Sequence, residues 1–260
     1  MLLSDGVYPA TCDADIGHVV VTRYNVRAHR EQRGLEDAEK YRTWLEDRAH
    51  QFATVCLPSL LQQKKRPDGW FIAFDGTDRE AVADIVGMLE EHPWITPVWQ
   101  EEGDHQLLPL RRALSRMANR FDYIASTRLD NDDAIALNYI SDADTYARAV
   151  LANRDLDDFW IAFTHGVQRV EDRFFSYMHA QPHFLTRVRR GGLADGQFVM
   201  GLNHTKLRTD PDREVVLPST RFPMWLENVH GQNVLNRQIK GLLELSPAAS
   251  VAARFGLDLG

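Results

Sequence analysis

The chain has little cysteine. Cys12 and Cys56 are the only two in 260 residues, too few for a disulfide framework and without the spacing of a thiolate metal site, so a reducing cytoplasm is the expected setting. A basic excess is also missing: 30 Lys and Arg stand against 37 Asp and Glu, a net charge of −7, which argues against a general DNA- or RNA-binding protein and leaves only local arginine patches. No window approaches the roughly 18 uninterrupted apolar residues of a spanning helix. Peripheral attachment to a membrane surface stays open. Residues 1–15 lack a basic stretch followed by an apolar one, which excludes a secretory signal, and they read as a flexible arm. Internal repeats and low-complexity tracts are absent.

What is present is a hydrophobic content of 44%, enough for one substantial core in a single large domain. Residues 16–155 alternate apolar strands with helical patterns. Ile16–Thr22 is β-branched and reads as the first strand. Tyr41, Leu45, Ala49, Phe52 and Cys56 recur at helical spacing between Glu36 and Gln63, with Pro58 expected to end or kink that helix near Leu57. Strands at Trp70–Phe74, Trp94–Trp99 and Asp122–Thr127 then alternate with helices at Ala81–Glu91 and Gln106–Arg120, and a helix is expected over Asp133–Leu151. Such alternation predicts an α/β fold: a mainly parallel central sheet flanked by helices. Residues 156–260 change texture. Phe159–Thr164 and Phe198–Leu202 read as strands among Gly-, Pro- and Arg-rich stretches, an α+β elaboration of the same domain suited to an acceptor-binding half. Ser246-Pro247 predicts the start of a last helix and Gly256 its stop.

The run Arg128-Leu129-Asp130-Asn131-Asp132-Asp133 follows the strand at 122–127 directly. Closely packed carboxylates repel one another, and the usual relief is a hard divalent cation, often shared with phosphates. Asp155-Leu156-Asp157-Asp158 has the same spelling but precedes its strand. Ligands of open α/β sheets bind outside the carboxyl ends of strands, so the first copy is placed for binding and the second reads as a solvated turn. Helix capping is the plain alternative for Asp132 or Asp133.

Val19-Val20-Val21-Thr22-Arg23-Tyr24-Asn25-Val26, Cys56-Leu57-Pro58-Ser59-Leu60, Ser126 to Ala134 and Pro223-Met224-Trp225-Leu226-Glu227-Asn228-Val229-His230-Gly231 together resemble the rhamnosyltransferase family of bacterial glycosyltransferases, over about residues 16–238. The resemblance implies a GT-A fold, with residues 16–155 as the nucleotide-sugar and metal half. It implies a hexosyltransferase of polysaccharide biosynthesis, cytoplasmic or peripheral at the inner membrane, moving a sugar such as rhamnose from a nucleotide-sugar donor to a glycan or other hydroxyl acceptor. It also implies Mn²⁺ or Mg²⁺ held by an Asp-x-Asp motif, here Asp130 and Asp132, with Asp133 a direct ligand or a partner behind them. By the same resemblance Thr22, Arg23, Asn25, Arg128 and Asp130 line the donor pocket. Asp75 accepts from a base or ribose hydroxyl, with an ordinary turn aspartate as the alternative. His230 completes the metal or diphosphate site, with His204 competing, and Trp225 stacks on a base or sugar unless it is core. Asp172, Glu171 and Glu227 are the candidate bases for an inverting displacement. Where the family tends to continue Pro182-His183-Phe184-Leu185-Thr186 into an acidic residue, this chain has Arg187-Val188-Arg189-Arg190, a cluster for an anionic acceptor or diphosphate, or a solvated charge run.

Two rivals remain. A sugar nucleotidyltransferase expects a Gly-rich loop after the first strand to cradle a triphosphate, and residues 22–33 contain no glycine. A non-catalytic nucleotide- or glycan-binding module of the same fold is the other.

Overall fold

The computed structural model describes residues 12–28, 34–35, 37–117, 120–180, 182–191, 197–201, 207, 213–230 and 238–259. Residues 1–11 of the expected arm, His204 and Gly231 lie outside them. Cys12 and Ala14 accept hydrogen bonds from Arg148 at 3.1 and 3.0 Å.

Among the described residues the main sheet has seven strands. Five are expected, one at Phe159–Thr164 and four within residues 16–155: β1 (Ile16–Arg23), β2 (Gly69–Asp75), β3 (Ile95–Gln100) and β4 (Tyr123–Arg128). β1 pairs in parallel with both β2 and β4, and β3 runs parallel to β2. Beyond β4 lie strands from the second half, β6 (Asp158–Ala162), β9 (Leu185–Arg190) and β10 (Val215–Val216), in the order β10-β6-β9-β4-β1-β2-β3. β9 is antiparallel to β4 and β6. Because side chains alternate along a strand, the buried β1 and β2 feed two cores. Val20, Trp70, Ile72 and Phe74 meet helices α1 (Ala38–Gln51), α3 (Ala83–Glu90) and α5 (Tyr139–Asn153) on one face. Val19, Val21, Phe71 and Ala73 meet α4 (Leu108–Ser115) on the other. Each such large apolar side chain contributes about 1.5–3 kcal/mol by leaving water.

α1 starts at Asp37, whose carboxylate accepts from the Lys40 amide at 2.9 Å. Its buried stripe is Tyr41, Trp44, Leu45 and, unusually, Arg48. Pro58 does not break the helix. A five-residue π-turn, Phe52–Cys56, precedes α2 (Leu57–Leu61), which takes Pro58 into its first turn. The widened turn falls where the missing N–H and the ring of Pro58 would otherwise disrupt the helical ladder.

A second sheet has the order β12-β8-β7-β11-β5, from β5 (Ala134–Ile135), β7 (His165–Val170), β8 (Arg173–Met178), β11 (Trp225–Val229) and β12 (Glu244–Leu245). Helix α6 (Ala248–Arg254) packs Ala252 against Val55, Ala134, Val167, Phe174 and Leu226. Two expectations are corrected here. The helix expected from Asp133 begins only at Tyr139, because Ala134 and Ile135 pair with Leu226 and Trp225 of β11 instead. The segment from Phe198 is a short 3₁₀ turn at Val199–Gly201 rather than a strand. Gly256 does stop the last helix, at φ 71°, a conformation that costs glycine little. Among the described residues no helix is long and apolar enough to cross a membrane.

Candidate active site

The acidic run leaves the sheet at the carboxyl ends of β1 and β4. Leu129, fully buried, anchors it by donating its amide to Val21 O at 3.1 Å. Asn131 turns inward and donates to Tyr24 O at 2.9 Å. Its three carboxylates then part ways. Asp130 accepts two bonds from Arg128, at 3.1 Å from Nε and 2.7 Å from Nη2. Burial alone would raise its carboxyl, but Arg128, His183 and Arg23 outweigh burial and hold it far below the usual range. Asp132 pairs with Arg48 of α1 and, at 3.0 Å, with His230 Nε2. Burial works against its charge, and the bond from His230 with the charge of Arg48 brings its carboxyl down. Asp133 accepts the Asn228 amide at 2.9 Å and sits 2.8 Å from His183 Nε2. Burial, Asp132 and Asp130 push its carboxyl well up, against the bond from the Asn228 amide. The neighbouring Cys56 thiol is pushed up too, by burial and then by the same three carboxylates.

Asp130, Asp133 and His183 each offer a ligand atom, all within 4.8 Å of one another. Two carboxylate oxygens and an imidazole nitrogen suit a divalent cation, which would relieve the repulsion that raises Asp133. The expected set was Asp130, Asp132, Asp133 and His230. The structure pairs Asp132 with both His230 and Arg48 and brings His183 in.

The donor-pocket candidates gather at the ends of β1 and β2. Thr22 is buried and accepts from Trp70 Nε1 at 2.9 Å. Arg23 donates to Gln106 at 3.3 Å, and burial lowers the pKa of its guanidinium. Asn25 accepts the Asp75 amide at 3.1 Å and donates to Asp78 at 3.0 Å. Asp75 takes the turn role: it accepts from the Thr77 amide at 3.1 Å and pairs with Arg27 at 3.1 Å. Trp225 is corrected. It is 1% exposed, stacks on Phe184 at 5.0 Å, meets Tyr177 edge-on and donates to Phe163 O at 2.7 Å, so it presents no face to a ligand.

Of the candidate bases, Glu227 is buried on β11 and accepts from Gln168 at 2.6 Å. Its charge is among those that raise Asp133. Glu171 and Asp172 form the turn between β7 and β8, and the register Val229↔Val170 sets that turn beside His230. Glu171 has φ 55°. Asp172 is exposed and faces Arg169 at 3.4 Å. The arginines of β9 turn away from the site: Arg187 binds Asp158 at 2.9 Å, and Arg190 binds Asp157 and, at 2.6 Å, Asp155. The second acidic run is therefore an arginine-paired surface turn.

Sequence reasoning missed Arg48 and His183. A cation at a position of the apolar stripe of α1 was a readable signal for the first. His183 is a lone histidine in a loop and carried none.

Residues 18–241 match a family model described as Putative rhamnosyl transferase. No curated protein matches the chain. Among solved structures, the 2-C-methyl-D-erythritol 4-phosphate cytidylyltransferase of Francisella tularensis is similar at 11% identity, covering 79% of this chain and 91% of that chain with a TM-score of 0.40. A 4-diphosphocytidyl-2C-methyl-D-erythritol synthase is similar at 11% identity, covering 80% and 90%, with a TM-score of 0.34. Likeness that loose says nothing of activity.

Proposed function

This chain belongs to the rhamnosyl transferase family, and on that premise we propose that it is a glycosyltransferase of GT-A fold. It moves a sugar of the rhamnose class from a nucleotide-sugar donor to a hydroxyl of a glycan or other acceptor. The observation that carries this reading is the grouping of buried Asp133 with half-buried Asp130 and His183 at the carboxyl ends of parallel strands, where α/β sheets take their ligands.

Those three residues would hold a divalent cation, which supplies Lewis-acid neutralisation of the departing nucleoside diphosphate. The mixed oxygen and nitrogen donors favour Mn²⁺ over Mg²⁺, which prefers oxygen alone. Arg128 fixes the Asp130 carboxylate through two bonds, and the Asn228 amide fixes Asp133, so neither ligand needs reorganising when the donor arrives. Thr22, Arg23, Asn25 and Asp75 form the nucleotide side. Glu227 takes the proton of the acceptor hydroxyl in an inverting displacement; of the three candidates it is the one oriented by a buried donor, Gln168, next to Asn228. Glu171 and Asp172 contribute to the acceptor rim beside His230.

The test is thermal stability of the purified protein against nucleoside diphosphates and nucleotide sugars, each with Mn²⁺ and with EDTA. A ligand that binds only the native state raises the midpoint with its concentration. A shift with one nucleoside diphosphate, present with Mn²⁺ and lost with EDTA, is expected; no shift with any of them removes the reading.

A further inference from the structure

Arg48 is 2% exposed. Its Nη1 serves Asn131 Oδ1 at 3.2 Å and the Asp132 carboxylate, while Nε and Nη2 are buried and have no hydrogen-bond partner among the described residues. An unpartnered donor on a buried charge is expensive, more so than a neutral one. The guanidinium lies 5.5 Å from the centre of the Trp44 ring, which gives it a face contact but nothing for those two N–H groups. Such a fork matches two oxygens of a phosphate or carboxylate.

Two further guanidinium groups stand at the same site: Arg128 binds Asp130 through two hydrogen bonds, and Arg23 ends β1 beside it. A cation at the cluster and these arginines would meet the negative charge of a diphosphate together.

We infer that Arg48 is an anion-binding residue of this site, whose Nε and Nη2 donate to oxygens of a diphosphate held at the Asp130–Asp133–His183 cluster. This rests on the reading of the site as a cation and nucleotide-sugar centre. It assigns Arg48, on a helix outside the sheet, to recognition of the diphosphate rather than to holding Asp132 alone. The protein therefore binds the cation and diphosphate together more tightly than either by itself.

The test is calorimetric titration with Mn²⁺ alone, with inorganic pyrophosphate alone and with both. Wild type, Arg48→Lys and the double variant Arg48→Met with Asp132→Asn are compared, with folding checked by circular dichroism. The lysine variant keeps a charge for Asp132, and the double variant removes both ends of the ion pair so that no carboxylate is stranded. The expected result is that wild type binds pyrophosphate with Mn²⁺, and that both variants bind it about tenfold or more weakly while Mn²⁺ binding alone is kept. Wild-type pyrophosphate affinity in both folded variants overturns the inference. Wild-type protein that binds Mn²⁺ but not pyrophosphate overturns it while leaving the metal reading standing; wild-type protein that binds neither sinks the proposed function with it.

Discussion

His183 Nε2 stands 2.8 Å from the Asp133 carboxylate although the two residues are 50 positions apart in the chain. The register Thr127↔Thr186 between β4 and β9 brings them together, since the acidic run leaves one strand where the loop of His183 enters the other. Burial and the like charges of Asp132, Asp130 and Glu227 push the Asp133 carboxyl up, and burial pushes the His183 imidazole down. Both changes disfavour charge. A metal ligand must be deprotonated, so a cation here competes with protons, and affinity rises with pH. Mn²⁺ titrations at a series of pH values should show affinity rising with pH; affinity independent of pH would contradict it.

Asp133→Asn keeps the shape of the side chain and removes its charge. Mn²⁺ binding is expected to disappear, and sugar transfer to fall by about a hundredfold or more, as for loss of a principal electrostatic group. Full transfer by this variant would exclude the proposed ligand set.

Asp132→Asn is expected to act differently, through stability. It leaves Arg48 buried without its carboxylate, a change that costs about 3–5 kcal/mol. Adding Arg48→Met should recover most of that loss. Denaturant melts of the two variants check this, and equal destabilisation of both would show that the pair is not what holds this corner.

His18 is fully buried with its pKa lowered to about 3, by burial first and by Lys65 second. Its Nε2 lies 2.7 Å from Thr127 Oγ1. In the unfolded chain it protonates near its ordinary value of about 6.5, so between the two values the unfolded state binds more protons and stability falls as pH falls. From pH 7 to pH 5 this group alone removes about 2 kcal/mol. His18→Leu should flatten the acid limb of the stability profile by that amount; an unchanged slope would assign the loss elsewhere.

Trp225 is a packing residue, so Trp225→Ala should cost about 3–5 kcal/mol, whereas Trp225→Phe should keep the fold and the nucleotide affinity. Gly166→Ala probes the same contact, because a Cβ there would lie 2.1 Å from the Trp225 ring. Selective loss of nucleotide affinity in a fully stable Trp225→Phe would restore the stacking role.

The sequence made the parallel strands legible because β1 to β4 are short, apolar and separated by helices of ordinary period. It also separated the two acidic runs, since order relative to a strand is a local property. Pairings between distant segments were not legible. Ala134 and Ile135 become a strand only because Leu226 and Trp225 lie beside them, and nothing local opposes reading them as helix. His183 is a ligand candidate only through the pairing of β4 with β9. Arg48 sits between those cases: its place on a buried helical stripe is visible in the sequence, whereas its partner is not.

β9 touches both acidic runs. Ahead of its first residue His183 meets Asp133, and at its other end Arg187 and Arg190 meet Asp155, Asp157 and Asp158. A slip by one residue would turn every side chain of the strand to the wrong face. A slip by two would keep the faces but carry His183 roughly 7 Å from its carboxylate and strip the arginines from theirs. The two look-alike sequences thus act as a lock with two wards for one key: a chain that has paired β9 out of step has lost its centre as well, and no misregistered form is left with a working site.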